Sequence, residues 1–152
     1  MTPAYSELYL GDASLALGSM LESVVYLFGV KLEIFWRLFL ESHVSSDFAH
    51  GLSGTVSGKS GWELAAEILD DAGVEFRREK PRAVIERSRE FWAGWALAQY
   101  QWKSGLMFDE IERFAPLKDI LLMYSPYHEM GIDHFFDALE ERRTNSAAKE
   151  NR

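Results

Sequence analysis

One stretch of the sequence, residues 88–105, constrains the fold more than any other because it is apolar around nearly the whole circumference of a helix. On a helical wheel, three of the five tryptophans fall within one arc, and alanine, leucine and tyrosine cover most of the rest. A helix that is hydrophobic all round is buried among other elements. Ser88 suits the N-cap, and Gly105 suits the left-handed position that ends a helix. The sequence therefore predicts a buried central helix over residues 88–104.

Two residues inside this helix, Gly94 and Gln99, are unfavourable in a buried helix unless the surrounding structure requires them. Gly94 costs about 1 kcal/mol relative to alanine in a helix interior, which favours a place where another backbone approaches closely. Gln99 projects into the tryptophan arc, and a buried amide without partners costs about 1–3 kcal/mol. The pattern favours a structural hydrogen bond from Gln99 to a neighbouring backbone group or with a tryptophan N–H. A polar contact in a ligand or partner pocket is the alternative.

Most of the remaining chain also has helical periodicity. A first helix begins between Ser6 and Asp12 and continues to Gly29, and a second over residues 31–43 should turn Ile34 and Phe35 inward. Further segments with this spacing are residues 61–72, 108–114, 116–124 and 130–143. We predict an all-α, single-domain bundle of about six or seven helices over residues 5–143. The polar residues 144–152 contain no core residue and are predicted to form a disordered tail.

Residues 74–87 have no clear helical period. Val74 and Phe76 alternate with Glu75 and Arg77, which is compatible with a very small β-ribbon near residues 74–85. An irregular connection with a helical turn after Pro81 fits the same residues. The sequence leaves both possibilities open.

A glycine- and serine-rich loop over residues 51–61 contains Gly58-Lys59-Ser60, as phosphate-binding loops do. That motif requires a glycine five residues before Gly58, where Ser53 stands, and a preceding strand, which the sequence does not indicate. Ser60 and Glu63 instead have the spacing of a capping box at the start of a helix. We therefore predict a helix N-terminus here and no nucleotide site.

Charge and composition exclude several classes of function. The net charge is −8 and the basic residues are scattered, which argues against direct binding of nucleic acid. The absence of cysteine excludes disulfides, thiolate zinc sites and thiol catalysis, and it fits a cytoplasmic location. The longest apolar run, residues 15–39, is interrupted by charged residues, so we predict no membrane span.

No catalytic motif is recognisable. His128 and His134 are six residues apart, whereas the zinc-protease helix needs four, and neither glycine-rich stretch has the Gly-x-Ser-x-Gly spacing. We expect no metal and no cofactor.

Aromatic stripes at helical spacing usually belong to the core, but the tryptophan helix and its polar neighbours also define a candidate binding cluster. Its members are Glu63, Trp92, Trp95, Gln99, Gln101, Trp102, His128 and Glu129.

Four stretches carry a family resemblance. They are Tyr9-Leu10-Gly11-Asp12-Ala13 with Leu17-Gly18, Gly58-Lys59-Ser60-Gly61-Trp62-Glu63-Leu64, Phe91-Trp92-Ala93-Gly94-Trp95-Ala96-Leu97-Ala98-Gln99-Tyr100-Gln101-Trp102, and Tyr127-His128-Glu129. Through these motifs residues 9–139 resemble a family of small bacterial proteins. Some of its members carry a helix-turn-helix domain after this module, and some are encoded beside toxin–antitoxin-like or ADP-ribosyltransferase-like proteins.

The resemblance implies an antitoxin-like or accessory regulatory module whose partner is a toxin-like or regulatory protein. Together with the charge of −8 and the many aromatic residues, it leads to one principal hypothesis. The chain is then a non-catalytic, cytosolic interaction module that binds a protein partner through an acidic, aromatic-rich surface. One alternative is a small-molecule pocket among the central helix, Glu63 and His128. Another is an enzyme that uses His128 and a carboxylate, and self-association is compatible with each.

Overall fold

The computed structural model describes residues 2–81 and 88–151, and the regular structure within them is entirely helical. A short 3₁₀ helix, Glu7–Tyr9, leads into α1, Leu10–Tyr26. The helices that follow are α2 (Leu32–Glu41), α3 (His43–Ala49), α4 (Ser53–Val56), α5 (Gly61–Asp71), α6 (Arg89–Ser104), α7 (Phe108–Phe114), α8 (Leu117–Leu122), α9 (Tyr124–Tyr127) and α10 (Ile132–Glu150). The all-α prediction is confirmed. More helices are found in the described residues than the six or seven expected, mainly because α4 and α9 are single turns of 4 residues.

The centre of the fold is the crossing of α1 and α6, and α5 packs on another side of α1. At this crossing a Cβ atom on Gly94 would lie 2.5 Å from the carbonyl oxygen of Leu17 and 2.8 Å from the Cα atom of Gly18. A Cβ atom on Gly18 would lie 2.8 Å from the carbonyl oxygen of Phe91. The two backbones are therefore in contact, as the position of Gly94 predicted. The predicted central helix, α6, therefore forms the centre of the fold together with α1.

The three tryptophans of α6 are not its most buried residues. Ala93, Ala96 and Ala98 are fully buried, whereas Trp92, Trp95 and Trp102 are only partly buried. At Gly94, where α6 touches the backbone of α1, there is no room for a larger side chain. The indole N–H of Trp102 donates to the carbonyl oxygen of Tyr5, as is usual for a partly buried tryptophan.

The predicted N-cap and glycine end of α6 and the predicted capping box of α5 are confirmed. The hydroxyl oxygen of Ser88 accepts a hydrogen bond from the N–H of Phe91 at 3.0 Å, and Gly105 ends α6 with a φ of +72°. At the start of α5, the Ser60 hydroxyl accepts from the N–H of Glu63 at 3.1 Å, and the Glu63 carboxylate accepts from the N–H of Ser60 at 3.3 Å. These bonds satisfy N–H groups that a helix leaves unpaired at its first turn.

Helix α2 turns Phe35 inward as predicted, but not Ile34. Phe35, Trp36 and Phe39 are buried, and Ile34 is 45% exposed. The inward arc of α2 is centred on the aromatic side chains, which leaves Ile34 at its edge. The prediction that Ile34 faces inward was therefore wrong.

The last helix continues beyond its predicted end at Arg143. Helix α10 runs to Glu150, so the prediction of a disordered tail over residues 144–152 is corrected. Arg143, Ala147 and Glu150 share one face of α10 and, with Phe114 of α7, line a shallow groove between the two helices. The tail contains no glycine or proline to end the helix. At 19 residues α10 is polar, and no helix of the described residues is both long and apolar enough to cross a membrane.

No strand forms in residues 74–81, and residues 82–85 of the predicted ribbon lie outside the described residues. This segment is an extended connection that lies against α5 and the end of α1. The ring of Phe76 packs 4.6 Å from that of Phe28, and the indole N–H of Trp62 donates to the carbonyl oxygen of Glu79 at 2.8 Å. Its contacts are thus with side chains and isolated backbone groups, which do not make a sheet ladder.

Candidate functional site

The members of the predicted binding cluster do not share one site. Glu63 is exposed at the start of α5, where its carboxylate closes the capping box. Trp92, Trp95 and His128 line a shallow groove of about 250 Å³. The rest of this lining is Ser88, Phe91 and Tyr124, so Glu63 takes no part in it. The alternative hypothesis was a pocket among the central helix, Glu63 and His128. Without Glu63, what remains of it is an aromatic groove beside α6.

The aromatic groove holds His128 by contacts with its neighbours. The ring of Tyr124 stacks on that of His128 at 3.9 Å, and the Nδ1 atom of His128 lies 2.6 Å from the carbonyl oxygen of Tyr124. Its Nε2 atom is 3.6 Å from Glu129, whose side chain is 78% exposed. Trp92 packs edge-on against Tyr124 and Phe135. The imidazole is therefore fixed in place by the turn that carries it.

The polar residues of α6 form internal hydrogen bonds. Gln99 is partly buried, and its amide donates to the Ser14 hydroxyl at 2.9 Å, a side-chain partner that the sequence analysis did not name. Gln101 is the fully buried amide of the pair, and it donates to the carbonyl oxygens of Ala49 at 3.1 Å and Leu106 at 2.9 Å. Trp102 donates to the carbonyl oxygen of Tyr5 at 2.8 Å. These three side chains therefore connect α6 to the helices and turns around it.

A larger groove of about 630 Å³ lies between α2, α7 and α8, and the sequence analysis missed it. This volume is within the range of sites that hold a small ligand or a partner's side chains. We call it the α2–α7–α8 groove. Its apolar lining is Leu32, Trp36, Pro116, Leu117 and Leu121, and its charged lining is Lys31, Glu33, Glu112 and Lys118.

Trp36 and Glu112 are linked inside this groove. Trp36 is only 4% exposed, stacks on Phe39 at 4.7 Å, and donates its indole N–H to the Oε2 atom of Glu112 at 2.9 Å. The N–H of Leu117, at the start of α8, donates to the same oxygen at 3.1 Å. Burial raises the pKa of the Glu112 carboxyl group above its ordinary value, and the hydrogen bonds from Trp36 and Leu117 oppose that rise. The carboxylate is thus held in one orientation in a partly desolvated place.

Large apolar side chains remain exposed on the two helices that form the walls of this groove. Ile34 of α2 is 45% exposed, and Leu122 of α8 is 74% exposed. Leu122 directly follows Leu121 of the groove lining, whereas Ile34 lies two residues from both Leu32 and Trp36 and therefore on the opposite side of α2. Single exposed apolar residues are common, but one beside an apolar groove is typical of interaction surfaces. The groove and Leu122 form the candidate functional site.

One sequence signal could have indicated this site. Glu112 lies four residues after Phe108 and one after Ile111, so it falls on the face of α7 that carries the buried residues. A carboxylate on an apolar helix face requires partners or a role. The groove itself requires three segments to meet that are far apart in the sequence, and helical periodicity carries no information about that.

Two other clusters have donor atoms for ions. His43, Glu67 and Asp71 bring one ligand atom each within 4.8 Å of one another, a donor set that a divalent transition metal accepts. The Glu67 carboxylate is already paired with Lys59 at 3.1 Å, and the other two residues are exposed. Beside the glycine-rich loop is a hollow of about 360 Å³, where the Ser57 hydroxyl donates to the Asp12 carboxylate at 2.6 Å.

The fold and these surfaces define an all-α protein with a groove between three helices. Comparisons with protein-family models, with curated proteins and with solved structures found no match to this chain. Its function is therefore inferred from its own residues.

Proposed function

We propose that this protein is a non-catalytic interaction module of the antitoxin or accessory-regulator kind, and that it binds a protein partner in the α2–α7–α8 groove. The observation that supports the proposal is the combination of apolar walls, a fixed Trp36 and the exposed side chain of Leu122. An amphipathic helix of the partner, laid between α2 and α8, fits such a surface.

The energetics favour binding at these positions. Full burial of a leucine or isoleucine side chain stabilises by about 1.5–3 kcal/mol, and Leu122 is 74% exposed in the isolated chain. Its burial in a complex would therefore strengthen binding about tenfold or more, since 1.4 kcal/mol corresponds to a factor of ten. The indole of Trp36 is already buried and hydrogen-bonded, so little side-chain entropy is lost when a partner packs against it.

Charge supports a basic partner. The chain has a net charge of −8, which steers a positively charged partner towards it and raises the rate of association. In this proposal the acidic, aromatic surface expected from the sequence is the α2–α7–α8 groove, whose lining includes Trp36, two glutamates (Glu33 and Glu112) and two lysines (Lys31 and Lys118). The tryptophan arc of α6 contributes mainly to the core and to the aromatic groove.

The experiment compares matched surface variants. A stoichiometric partner is purified from the native host with the tagged chain, and its affinity is measured by calorimetry for the wild type, Leu122→Asp and Leu8→Asp. Leu8 is 90% exposed and lies in the 3₁₀ helix, so it controls for the new charge alone. We expect Leu122→Asp to weaken binding by about tenfold or more and Leu8→Asp to change it little. Equal effects of the two variants, or no stoichiometric partner, would contradict the proposal.

A second candidate function is the binding of a small aromatic ligand in the aromatic groove beside α6. The observation in its favour is that Trp92, Trp95 and Tyr124 line a groove of about 250 Å³. Titration with indole, followed by the indole N–H signals of the protein in NMR spectra, tests it. A saturable shift confined to Trp92 and Trp95 would support this function, and unchanged signals would exclude it for ligands of that class.

A further inference from the structure

The two carboxylate oxygens of Glu112 differ in the hydrogen bonds that the described residues make to them. Its Oε2 atom accepts both hydrogen bonds, from Trp36 at 2.9 Å and from Leu117 at 3.1 Å. Within residues 2–81 and 88–151, no donor is found for Oε1. Glu112 is itself one of the residues that line the α2–α7–α8 groove. The second oxygen is therefore an acceptor available to whatever enters the groove.

The lysines of the groove form no ion pair with this carboxylate. In the described part of the chain neither Lys31 nor Lys118 pairs with Glu112, although Lys118 is close enough for its charge to act on it. Asp119, whose charge also acts on Glu112, is itself paired with Arg142 at 2.9 Å. Glu112 is thus a half-buried carboxylate that is oriented by two neutral donors and that no cation pairs with among residues 2–81 and 88–151.

We infer that Glu112 determines the specificity of the groove by pairing with a cationic side chain, arginine or lysine, that the partner inserts beside Trp36. The inference rests on the proposed function and names the chemistry of the partner. When a partner covers the groove, Glu112 loses its remaining water. A buried carboxylate without a counter-charge is strongly destabilising, so the partner that fits must supply the positive charge.

Two other kinds of occupant fit less well. An anionic group would meet the carboxylates of Glu33 and Glu112 at close range, although Lys31 and Lys118 stand at the same groove. A purely apolar segment would cover Glu112 and leave its charge unpaired. A guanidinium or ammonium group on an apolar stem can satisfy both the open oxygen and the apolar walls.

Four small probes of equal chain length test this inference on the wild-type protein. They are n-butylguanidinium, n-butylammonium, n-butanol and n-butyrate, each titrated while the indole N–H signal of Trp36 is followed by NMR. Because this N–H donates to Glu112, its signal reports directly on a cation bound at that carboxylate. We expect a saturable shift with one or both cations, and their relative affinities distinguish arginine from lysine as the preferred side chain. Equal shifts with butanol or butyrate would overturn the inference.

The variant Glu112→Gln keeps an oxygen acceptor for Trp36 and Leu117 and removes the charge. We expect its affinity for the preferred cation to be at least about tenfold lower than that of the wild type. Unchanged affinity in a variant with a wild-type circular dichroism spectrum would overturn the inference. If Glu112→Gln did not fold, the four-probe comparison on the wild type would still decide the question.

The same variants separate this inference from the proposed function. If Leu122→Asp weakens binding of the protein partner and Glu112→Gln does not, the groove is the interface and the role of Glu112 is refuted. If Leu122→Asp has no effect on the partner while the cation still depends on Glu112, the cation site stands and the protein interface is refuted.

Discussion

The contact between α1 and α6 makes Gly94 a position at which a single added methyl group should be strongly destabilising. In Gly94→Ala the new Cβ atom would lie 2.5 Å from the carbonyl oxygen of Leu17 and 2.8 Å from the Cα atom of Gly18. Both are backbone atoms of α1, so no side chain can rotate away to make room. The helices would have to separate by about 1 Å to restore contacts of the usual 3.5–4.0 Å.

The net effect on stability follows from two opposing contributions. Overpacking of a core costs about 1–3 kcal/mol and occasionally more, and contacts with backbone place Gly94→Ala at the upper end of that range. Alanine is favoured over glycine in a helix interior by about 1 kcal/mol. We therefore expect a net loss of about 2 kcal/mol in the free energy of unfolding, or a fall of about 4–8 °C in Tm for a chain of this size.

Urea unfolding followed by circular dichroism measures this loss, with Gly11→Ala as the matched control. Gly11 also lies in a central helix, but a Cβ atom there would have nothing within 4 Å. Gly11→Ala should leave stability unchanged or raise it by up to about 1 kcal/mol. If Gly94→Ala proves as stable as Gly11→Ala, the two helices are not in backbone contact, and the account of the core is refuted.

Three further predictions concern the helix ends and Glu112. Ser60→Ala should lower the free energy of unfolding by about 1 kcal/mol in urea titrations, because the N-cap of α5 is lost; no change would mean that this cap contributes nothing. Removal of residues 144–152 should reduce the helical circular dichroism signal, since α10 continues to Glu150; an unchanged signal would show that this part of the helix does not form in solution. Burial raises the pKa of Glu112 above its ordinary value of 4.5, so its contribution to stability is present below that value and is lost as the pH rises through the raised pKa. Glu112→Gln should therefore remove part of the pH dependence of the urea midpoint, and an unchanged pH dependence would contradict this prediction.

Much of the fold could be predicted because it depends on local chemistry. Ser60 and Ser88 cap helices through their own side chains, and the left-handed conformation at Gly105 ends α6, so sequence spacing indicates them directly. Gly94 was also informative, because a glycine inside a strong helix pattern has few uses other than close packing. Each of these features can be predicted from the residues of a single helix, without knowing what packs against it.

The errors arise where the partner of a side chain decides its role. Gln99 and Gln101 are equally polar in the sequence, and only the positions of α3 and the α6–α7 connection make Gln101 the buried one. The sequence predicted a helix buried on nearly every side, but Trp92, Trp95 and Trp102 are only partly buried. The end of α10 depends on its contact with α7, which is distant in sequence.

The candidate site was not predicted because its parts come from separate helices. Trp36 and Glu112 are 76 residues apart in the chain, and each looks like an ordinary core or surface residue by itself. The hydrogen bond between them exists only once α2, α7 and α8 are assembled. Periodicity can indicate that Glu112 lies on an unusual face, but it cannot indicate which side chain it meets.

Site-specific photo-crosslinking in the native host tests the central claim, that the α2–α7–α8 groove binds a protein partner. A photoreactive residue replaces Leu122 or Glu33 at the groove, and Leu8 or Leu52 elsewhere, all four being exposed positions. We expect one and the same protein to be crosslinked from positions 122 and 33, and not from positions 8 and 52. Crosslinking of that protein with equal yield from all four positions, or from 8 and 52 alone, would contradict it.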